Sequence, residues 1–448
     1  MTLLEHLKAY TNTLLPMHMP GGKRRFASDL PYQWDVTEVE GTDDLHDPEG
    51  ILLEMNRRAA ALWGAESSFV TVNGSTGGLL AAVRATGEGE ILMGRNCHKS
   101  VYNAVTLCRR KAHYLLPHEG EILPEEVEET LEKHENITTL LITSPTYEGV
   151  ISNIAAIGEI CHAHGVTLIV DEAHGAHLGF SFGESAVTLG ADIVVQSLHK
   201  TLPALTQTAV VHCKNSFASA LAKELAVFES SSPSYILMAS ADECFAFLGS
   251  EAGKNAMEDY KNNLLAVREK LKTNLKHFRL MESPRYDMGK LVILTEGTNF
   301  SGKALADALR EDYKIETEMA LPHSLTAMTS VCDTEKELNA FADAVLALDG
   351  QANPAPICRM PSLSLPEQVY APWEVRNAES TLCPLEQAVG KTSLAYLWAY
   401  PPGIPLLVPG ERVRNPSWIL QNATPKQAFP STGCRTGTWR FCKAIIIS

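Results

Sequence analysis

Short runs of apolar residues alternate with amphipathic stretches between about residues 68 and 213. Several runs lack the alternation of apolar and polar positions that marks a half-exposed strand, and this is typical of buried parallel strands. The pattern predicts strands in seven segments, which are SFVTVNG, EILMG, AHYLL, TTLLITS, VTLIVDEA, DIVVQS and TAVVHC.

Helices are predicted between these strands. LPEEVEETLEKH is one, and NIAAIGEICHAHG is another, with an Asn cap at its start and Gly165 at its end. Strands that alternate with helices form βαβ units. We therefore predict an α/β fold with a mostly parallel sheet that is covered on both faces.

A second α/β region is predicted in the C-terminal part. A polar stretch at about 251–278 indicates a long surface helix that links the two regions, and GKLVILTE, KALADALREDY and KELNAFADAVLAL follow as a strand and two helices. The predicted organisation is an N-terminal arm (1–45), a large domain (46–280), a small domain (281–411) and a basic tail (412–448). The tail carries six Lys or Arg and no acidic residue, and its pattern predicts no element.

Composition limits the function classes. Apolar residues make up 45% and charged residues 20%, with no apolar run of membrane-spanning length and no signal-like start, so we expect a cytoplasmic protein that contacts no membrane. A net charge of −15 argues against a nucleic-acid partner. The ten cysteines are scattered without ligand-like spacing, so we expect buried free thiols and no metal site.

Candidate chemistry follows three of the predicted strands. DEAHGAH (171–177) and SLHKT (197–201) place Asp171 and Lys200 at strand ends, where open α/β sheets bind ligands. NGSTGG (73–78) opens a helix, whose N–H groups and the hydroxyls of Ser75 and Thr76 could bind a phosphate. Alone, each has an ordinary explanation: a solvated lysine, a helix-capping aspartate and a plain turn.

Together the three features match the needs of pyridoxal 5′-phosphate (PLP). This cofactor requires a lysine for its aldehyde, an acid against its pyridine nitrogen and a cradle for its phosphate. A nucleotide-binding module is disfavoured, because NGSTGG lacks the lysine of a Walker loop.

The chain also resembles the Orn/Lys/Arg decarboxylase family of fold type I PLP enzymes. The resemblance covers roughly residues 17–411 and rests on DVTEVEGTDDLHDPEG, VNGSTGG, RNCHKS, TSPTYEGV, LIVDEAHGAH, VVQSLHKTLPALTQ and YPPGIPLLVPGE. It implies a short form without the N-terminal wing domain of the family's largest members, similar to biosynthetic arginine decarboxylases of polyamine synthesis.

The resemblance implies a role for each matching residue. Lys200 would form the Schiff base, Asp171 would pair with the pyridine nitrogen, and His98 would stack on the cofactor ring. Ala173 would pack under the ring and His174 would lie near the substrate. Ser75, Thr76, Ser197 and His199 match the phosphate-binding positions.

The resemblance also implies a homodimer or a higher homo-oligomer, and a basic amino acid as substrate, with arginine favoured over lysine and ornithine. Glu318 and Glu386 are the candidates for binding the distal cation of that substrate. Three departures from the family pattern concern regions outside the cofactor site. PGGK (20–23) has Gly22 where the family commonly has histidine, Lys391 stands where arginine is usual, and the basic tail does not look like the family's ending.

Two alternatives remain open at this point. The protein could catalyse another fold type I reaction, such as transamination with Arg359 or Arg376 as the carboxylate anchor, aldol cleavage or β-elimination. It could also be an inactive protein of the same fold that binds or regulates. Retention of Lys200, Asp171 and His98 argues against the second alternative.

Overall fold

The computed structural model describes residues 1–11, 31–357, 365–384, 387–399, 404–414 and 444–447. These residues form a seven-stranded sheet, a four-stranded sheet and two two-stranded pairs. The strands are β1 (Ser67–Thr71), β2 (Glu90–Gly94), β3 (Ala112–Leu115), β4 (Ile137–Thr143), β5 (Thr167–Asp171), β6 (Ile193–Ser197), β7 (Ala209–Cys213), β8 (Arg279–Leu280), β9 (Lys290–Leu294), β10 (Met319–Ala320), β11 (Ser324–Met328), β12 (Thr381–Pro384), β13 (Leu397–Ala399), β14 (Ile404–Leu407) and β15 (Ala444–Ile447).

Helices cover the sheets and connect them. They are α1 (Leu3–Thr11), α2 (Ile51–Trp63), α3 (Gly74–Ala85), α4 (Lys99–Leu107), α5 (Pro124–Lys133), α6 (Ile154–Ala163), α7 (Leu198–Thr201), α8 (Asn215–Phe228), α9 (Tyr235–Gly249), α10 (Glu251–Asn274), α11 (Gly302–Tyr313) and α12 (Glu335–Asp349), with a short 3-10 turn at Tyr32–Trp34.

The large sheet has the order β1-β7-β6-β5-β4-β2-β3, and each of the seven predicted segments forms one of its strands. Strands β2 to β6 pair in parallel, whereas β7 runs antiparallel to both β1 and β6. Residues of β6 and β7 are buried throughout, which agrees with their continuous apolar runs. The carboxyl ends of β4, β5 and β6 therefore meet at one edge.

Helix α3 lies directly on this sheet because it carries Gly78. A Cβ atom at this position would lie 2.7 Å from Cγ2 of Val211 and 2.9 Å from Cγ1 of Val195. Any larger residue would push the helix off the strands. The glycine thus sets the distance between the sheet and the start of α3.

The second sheet has the order β10-β11-β9-β8 and is antiparallel in all its pairs. The predicted strand and two helices of this region are β9, α11 and α12. The predicted surface helix is α10, but one of its faces is buried and includes Met257, Leu264 and Leu271. It therefore packs into the core and is not exposed all round.

Three smaller observations complete the fold. Of the cysteines among the described residues, all are unpaired and most are buried, but Cys332 is exposed and Cys108 is partly exposed, against the expectation for these two. The tail, predicted to have no element, contributes β15, which pairs with β12. In the described ranges no helix is both long and apolar enough to cross a membrane.

Candidate active site

A cavity of about 970 Å³ opens at the carboxyl edge of the large sheet. It brings together six of the residues singled out in the sequence, although they come from four separate segments of the chain. These are Ser75, His98, Asp171, Ala173, His174 and Lys200.

Asp171 and Lys200 reach this cavity from adjacent strands. Asp171 is the last residue of β5, and Lys200 lies in α7, the short helix that directly follows β6. The Asp171 carboxyl is almost fully buried, and Oδ1 accepts a hydrogen bond of 3.2 Å from the N–H of Ala173. Burial raises the pKa of Asp171, and the nearby Lys200 cation opposes that rise. A cation placed beside this carboxyl would stabilise its ionised form.

The Lys200 amine contacts the ring of His174, with 3.0 Å between Nζ and Nε2. Burial lowers the pKa of Lys200, Asp171 and Glu318 oppose this, and Lys290 lowers it further. The pKa of His174 lies well below its ordinary value, first because of burial and then because of Lys200 and Lys290. The His174 ring is therefore neutral at pH 7 and can accept a hydrogen bond from the amine.

His98 is the N-cap of α4. Its Nδ1 accepts a hydrogen bond of 3.3 Å from the N–H of Ser100 and lies 2.8 Å from the Ser100 hydroxyl, which fixes the ring at the cavity wall. Burial, followed by the cations of Lys200 and Lys99, lowers the pKa of His98 to about 4. This ring is also neutral at pH 7.

The first turn of α3 offers a site for an anion. Asn73, the N-cap, makes no side-chain capping bond, because its amide donates to the carbonyl of Phe228 at 2.7 Å. The N–H of Gly74 donates to the carbonyl of Gln207 and that of Gly77 to the carbonyl of Asn73. Among the described residues this leaves the N–H groups of Ser75 and Thr76, with the Ser75 hydroxyl, for a ligand. Thr76 lies in the same turn but is exposed, and it is not among the residues lining the cavity.

Ser197 is the N-cap of α7 and His199 lies within this helix, but neither residue lines the cavity. Ser197 is fully buried, and its Oγ has no hydrogen-bond partner within the described part of the chain. His199 contacts the residue that precedes β7, with 3.0 Å between its Nδ1 and the carbonyl oxygen of Thr208.

Three carboxylates that the sequence did not single out also line the cavity: Glu119, Glu148 and Glu282. Burial raises the pKa of Glu148, against hydrogen bonding by Thr146. The place of Glu148 at the site could have been predicted from the sequence. Glu148 lies five residues past the end of β4, and the carboxyl ends of parallel strands share one edge.

Glu318 reaches the site through Tyr147, whose hydroxyl donates to Glu318 Oε1 at 2.5 Å. The Tyr147 ring lies against His174, with 4.4 Å between ring centroids. Glu318 itself is exposed and does not line the cavity. Glu386 lies outside the described residues, so the structure gives no contact for this second candidate.

A buried ion pair supports the cavity wall. Arg95 donates to both oxygens of Glu411, at 2.6 and 2.9 Å, and both side chains are at most 3% exposed. Burial of Glu411 raises its pKa and the guanidinium opposes this. The pair joins Arg95, which follows β2, to a segment 316 residues away. Arg95 directly precedes the cavity-lining residues Asn96 and His98.

The donor set fits a cofactor that has an aldehyde, a basic ring nitrogen and a phosphate. An amine, a carboxyl and a helix N-terminus surround one cavity. In addition, Asn96 Oδ1, His174 Nδ1 and Ser197 Oγ are buried without hydrogen-bond partners among the described residues. Such atoms usually have partners in a complete site.

Residues 23–317 match the family model described as the major domain of Orn/Lys/Arg decarboxylases, which is more than half of the chain. The chain belongs to the Orn/Lys/Arg decarboxylase family. A second model, the C-terminal domain of Orn/Lys/Arg decarboxylases, matches residues 360–430. This match includes the first half of the basic tail, which the sequence alone did not relate to the family's ending.

Known proteins agree with this membership in the Orn/Lys/Arg decarboxylase family. An arginine decarboxylase of Halalkalibacterium halodurans is 28% identical, over 96% of this chain and 94% of that protein. The solved structure of lysine decarboxylase A from Pseudomonas aeruginosa superposes with a TM-score of 0.82 at 19% identity, over 99% of this chain and 79% of that one. A structure of SPT with PLP superposes with a TM-score of 0.56 at 16% identity, over 67% of this chain and 76% of that one. The predicted fold type I architecture is thereby confirmed.

Proposed function

We propose that this protein is a PLP-dependent decarboxylase of a basic amino acid, with arginine as the favoured substrate. The observation that carries the proposal is the pairing of Lys200 and Asp171 in one cavity, with the Lys200 amine 3.0 Å from a neutral imidazole. The family membership and the relatives that are named arginine and lysine decarboxylases support the reaction class.

Each group of the cofactor has a residue that would hold it. Lys200 would bind the aldehyde carbon, and Asp171 would supply the anion that keeps the pyridine nitrogen protonated. Ser75 and the N-terminus of α3 would hold the phosphate. Thr76, Ser197 and His199, which the family resemblance assigns to the same group, do not line the cavity. His98 and Ala173 would enclose the ring from its two faces. When bound, PLP accepts the electron pair that remains at Cα after the carboxylate leaves as CO2.

The chain's own residues would control the proton transfers. Lys200 must be neutral to attack a carbonyl carbon, and burial lowers its pKa in that direction. A proton must later reach Cα, and Lys200, His98 and His174 are the candidates within the cavity. Because both imidazoles are neutral at pH 7, Lys200 is the donor that we favour, with His174 orienting its amine.

The charges of the cavity favour a cationic side chain on the substrate. Glu119 and Glu148 line it, whereas three other charged lining residues, Glu282, Arg95 and Arg279, are each paired with an opposite charge outside it, Glu282 with Lys272 at 3.1 Å. A guanidinium or ammonium group would neutralise this excess of negative charge. Glu318, held by Tyr147 at the edge of the site, is a further contact for the distal group.

A transaminase would need a cation for the substrate carboxylate. Of the two arginines considered for this role, Arg376 is exposed and lines a different hollow together with Trp373, and Arg359 lies outside the described residues. Arg376 is thus not part of the cavity, and the family membership makes decarboxylation the better supported reaction.

The test is to incubate the purified protein with PLP and separately with arginine, lysine and ornithine. Absorption spectra report cofactor attachment, and mass spectrometry reports the amine product. We expect a visible absorption band and agmatine from arginine, neither of which Lys200→Ala should give. Lys303→Ala, which removes an exposed lysine on α11, serves as the matched control. A band without any amine would overturn decarboxylation, and a folded protein without a band would overturn the cofactor assignment.

A further inference from the structure

A second lysine is buried behind the segment that carries His174. Lys290 begins β9, and its side chain is 1% exposed. Its Nζ lies 3.2 Å from Oδ2 of Asp287 and donates to the backbone carbonyl of His174 at 3.4 Å. A buried ammonium is costly unless it is paired, so both contacts are needed to hold this charge away from water.

Asp287 ties the same segment at a second point. Its Oδ1 lies 2.8 Å from Nε2 of His177 and accepts a hydrogen bond of 2.9 Å from the N–H of Gly289. Burial alone would raise the pKa of Asp287, but His177 and Lys290 hold it well below its ordinary value. Asp287 and Lys290 therefore hold the backbone at His174 and the ring of His177 at the same time.

The pair also contacts the loop after β4, which carries Glu148. The N–H of Asp287 donates to the carbonyl of Gly149 at 2.8 Å. A Cβ atom at residue 149 would lie 2.9 Å from Cγ of Lys290, so only glycine allows this close approach. Two walls of the cavity thus depend on one buried ion pair that the second sheet provides.

Lys290 affects the site through its charge as well as through its contacts. The titratable groups that face the Lys200 amine come from several elements. They are Asp171 at the end of β5, His174 in the segment that follows β5, His98 at α4, Glu318 before β10 and Lys290 at β9. Asp171 and Glu318 favour the protonated amine, whereas Lys290 disfavours it.

We propose that Asp287 and Lys290 are positioning residues, which anchor His174 against the Lys200 amine and place a fixed positive charge behind it that favours the neutral amine. Neither Asp287 nor Lys290 lines the cavity. This inference rests on the proposed function for its purpose, but its test does not require catalysis.

The test measures the titration of Lys200 in the full-length chain freed of PLP. Limiting acetic anhydride is added at a series of pH values, and the acetylated fraction of the Lys200 peptide is followed by mass spectrometry. Lys290→Met removes the charge at similar volume, and Lys290→Gln removes the charge but can still donate to the carbonyl of His174. We expect the midpoint for Lys200 to rise by roughly half a unit or more in both variants.

Lys214→Met is the matched control. Lys214 also pairs with a buried carboxylate, Asp192, at 2.6 Å, but it follows β7 at the opposite edge of the sheet. We expect this variant to leave the Lys200 midpoint unchanged. If Lys290→Met does not fold, as judged by thermal unfolding, Lys290→Gln supplies the measurement.

A second readout separates positioning from charge. With PLP and substrate, the limb of the kcat/KM profile that reports Lys200 should move to higher pH in both variants, and Lys290→Met should also lose kcat, because His174 loses its anchor. The proposal would be overturned if the midpoint pH of the Lys200 titration stays within roughly 0.2 pH units of wild type in every variant that folds, since this margin is about the precision of such titrations. If the labelling shift occurs in a chain that releases no amine, the inference stands and the proposed function fails.

Discussion

The Lys200 amine lies 3.0 Å from Nε2 of His174, across the ends of two adjacent parallel strands. Lys200 follows β6, and His174 lies three residues past the end of β5. The sheet itself therefore sets the distance between the two groups. Neither side chain needs a loop rearrangement to reach the other.

Replacing His174 tests whether this contact matters for turnover. In His174→Phe the ring remains against Tyr147 but the partner of the Lys200 amine is lost. We expect kcat to fall by about a hundredfold or more, with PLP affinity little changed, because the amine is no longer oriented. Steady-state kinetics and PLP titration measure the two quantities. His134→Phe, at the exposed end of α5, is the control, and a kcat within twofold of wild type for His174→Phe would contradict the proposed role.

Glu148 is expected to bind the distal cation of the substrate. Glu148→Gln removes its charge at the same size, so we expect kcat/KM for arginine to fall by about 10- to 100-fold, as for the loss of one charge-assisted hydrogen bond. Glu318→Gln should have a smaller effect, because Glu318 is exposed and bonded to Tyr147. Glu128→Gln, an exposed residue of α5, is the control. Equal kcat/KM values for Glu148→Gln and this control would rule out the contact.

Glu172 gives the stability of the fold a pH dependence. Burial raises its pKa to about 7, against hydrogen bonds from Ser185, Ala186 and Gln196. The folded state then holds a proton that the unfolded state releases above the ordinary glutamate pKa of 4.5. The resulting stabilisation is complete below that value and is lost as the pH rises through about 7.

Glu172→Gln should remove this dependence. We expect the free energy of unfolding of wild type, relative to the variant, to fall by on the order of 3 kcal/mol as the pH rises through this window. Denaturant unfolding at several pH values measures it. Burial lowers the pKa of His212 to about 3, which makes stability rise with pH below about 6.5, but this is common to both proteins and cancels. A difference that is constant with pH would show that Glu172 has the same pKa in the folded and unfolded states and would contradict this account.

The Arg95–Glu411 pair should be essential for the stability with which the C-terminal segment is held on the fold. Glu411→Gln leaves the Arg95 guanidinium buried without its anion, so we expect a loss of about 3–5 kcal/mol in the free energy of unfolding. Glu367→Gln removes the anion of the exposed Arg412–Glu367 pair and should cost under about 1 kcal/mol. Denaturant unfolding compares the two variants, and equal losses would mean that burial does not set the strength of the first pair.

Much of the fold and of the site could be predicted from the sequence, because both follow from local patterns. The strands of the large sheet are continuous apolar runs, and Asp171 and Lys200 directly follow two of them. Parallel strands bring such residues to one edge without further information. The proximity of Ser75 and His98 to this pair follows from the same rule.

The contacts that could not be predicted join distant parts of the chain. Lys290 is 116 residues from His174, and Arg95 is 316 residues from Glu411, so no local pattern relates the members of either pair. A lysine at the start of a strand is usually exposed, and its burial depends on tertiary packing. For the same reason the sequence singled out Glu318, which is exposed, and missed Glu148, which lines the cavity.

The most direct measurement of the central claim is to identify the lysine that carries PLP. The protein is saturated with PLP, reduced with borohydride and digested, and the pyridoxyl-modified peptide is sequenced by mass spectrometry. We expect modification at Lys200, none at the buried Lys290, and a large decrease when arginine is added before reduction. Modification confined to another lysine, or none at all in folded protein, would contradict the proposal that Lys200 holds the cofactor of a decarboxylase.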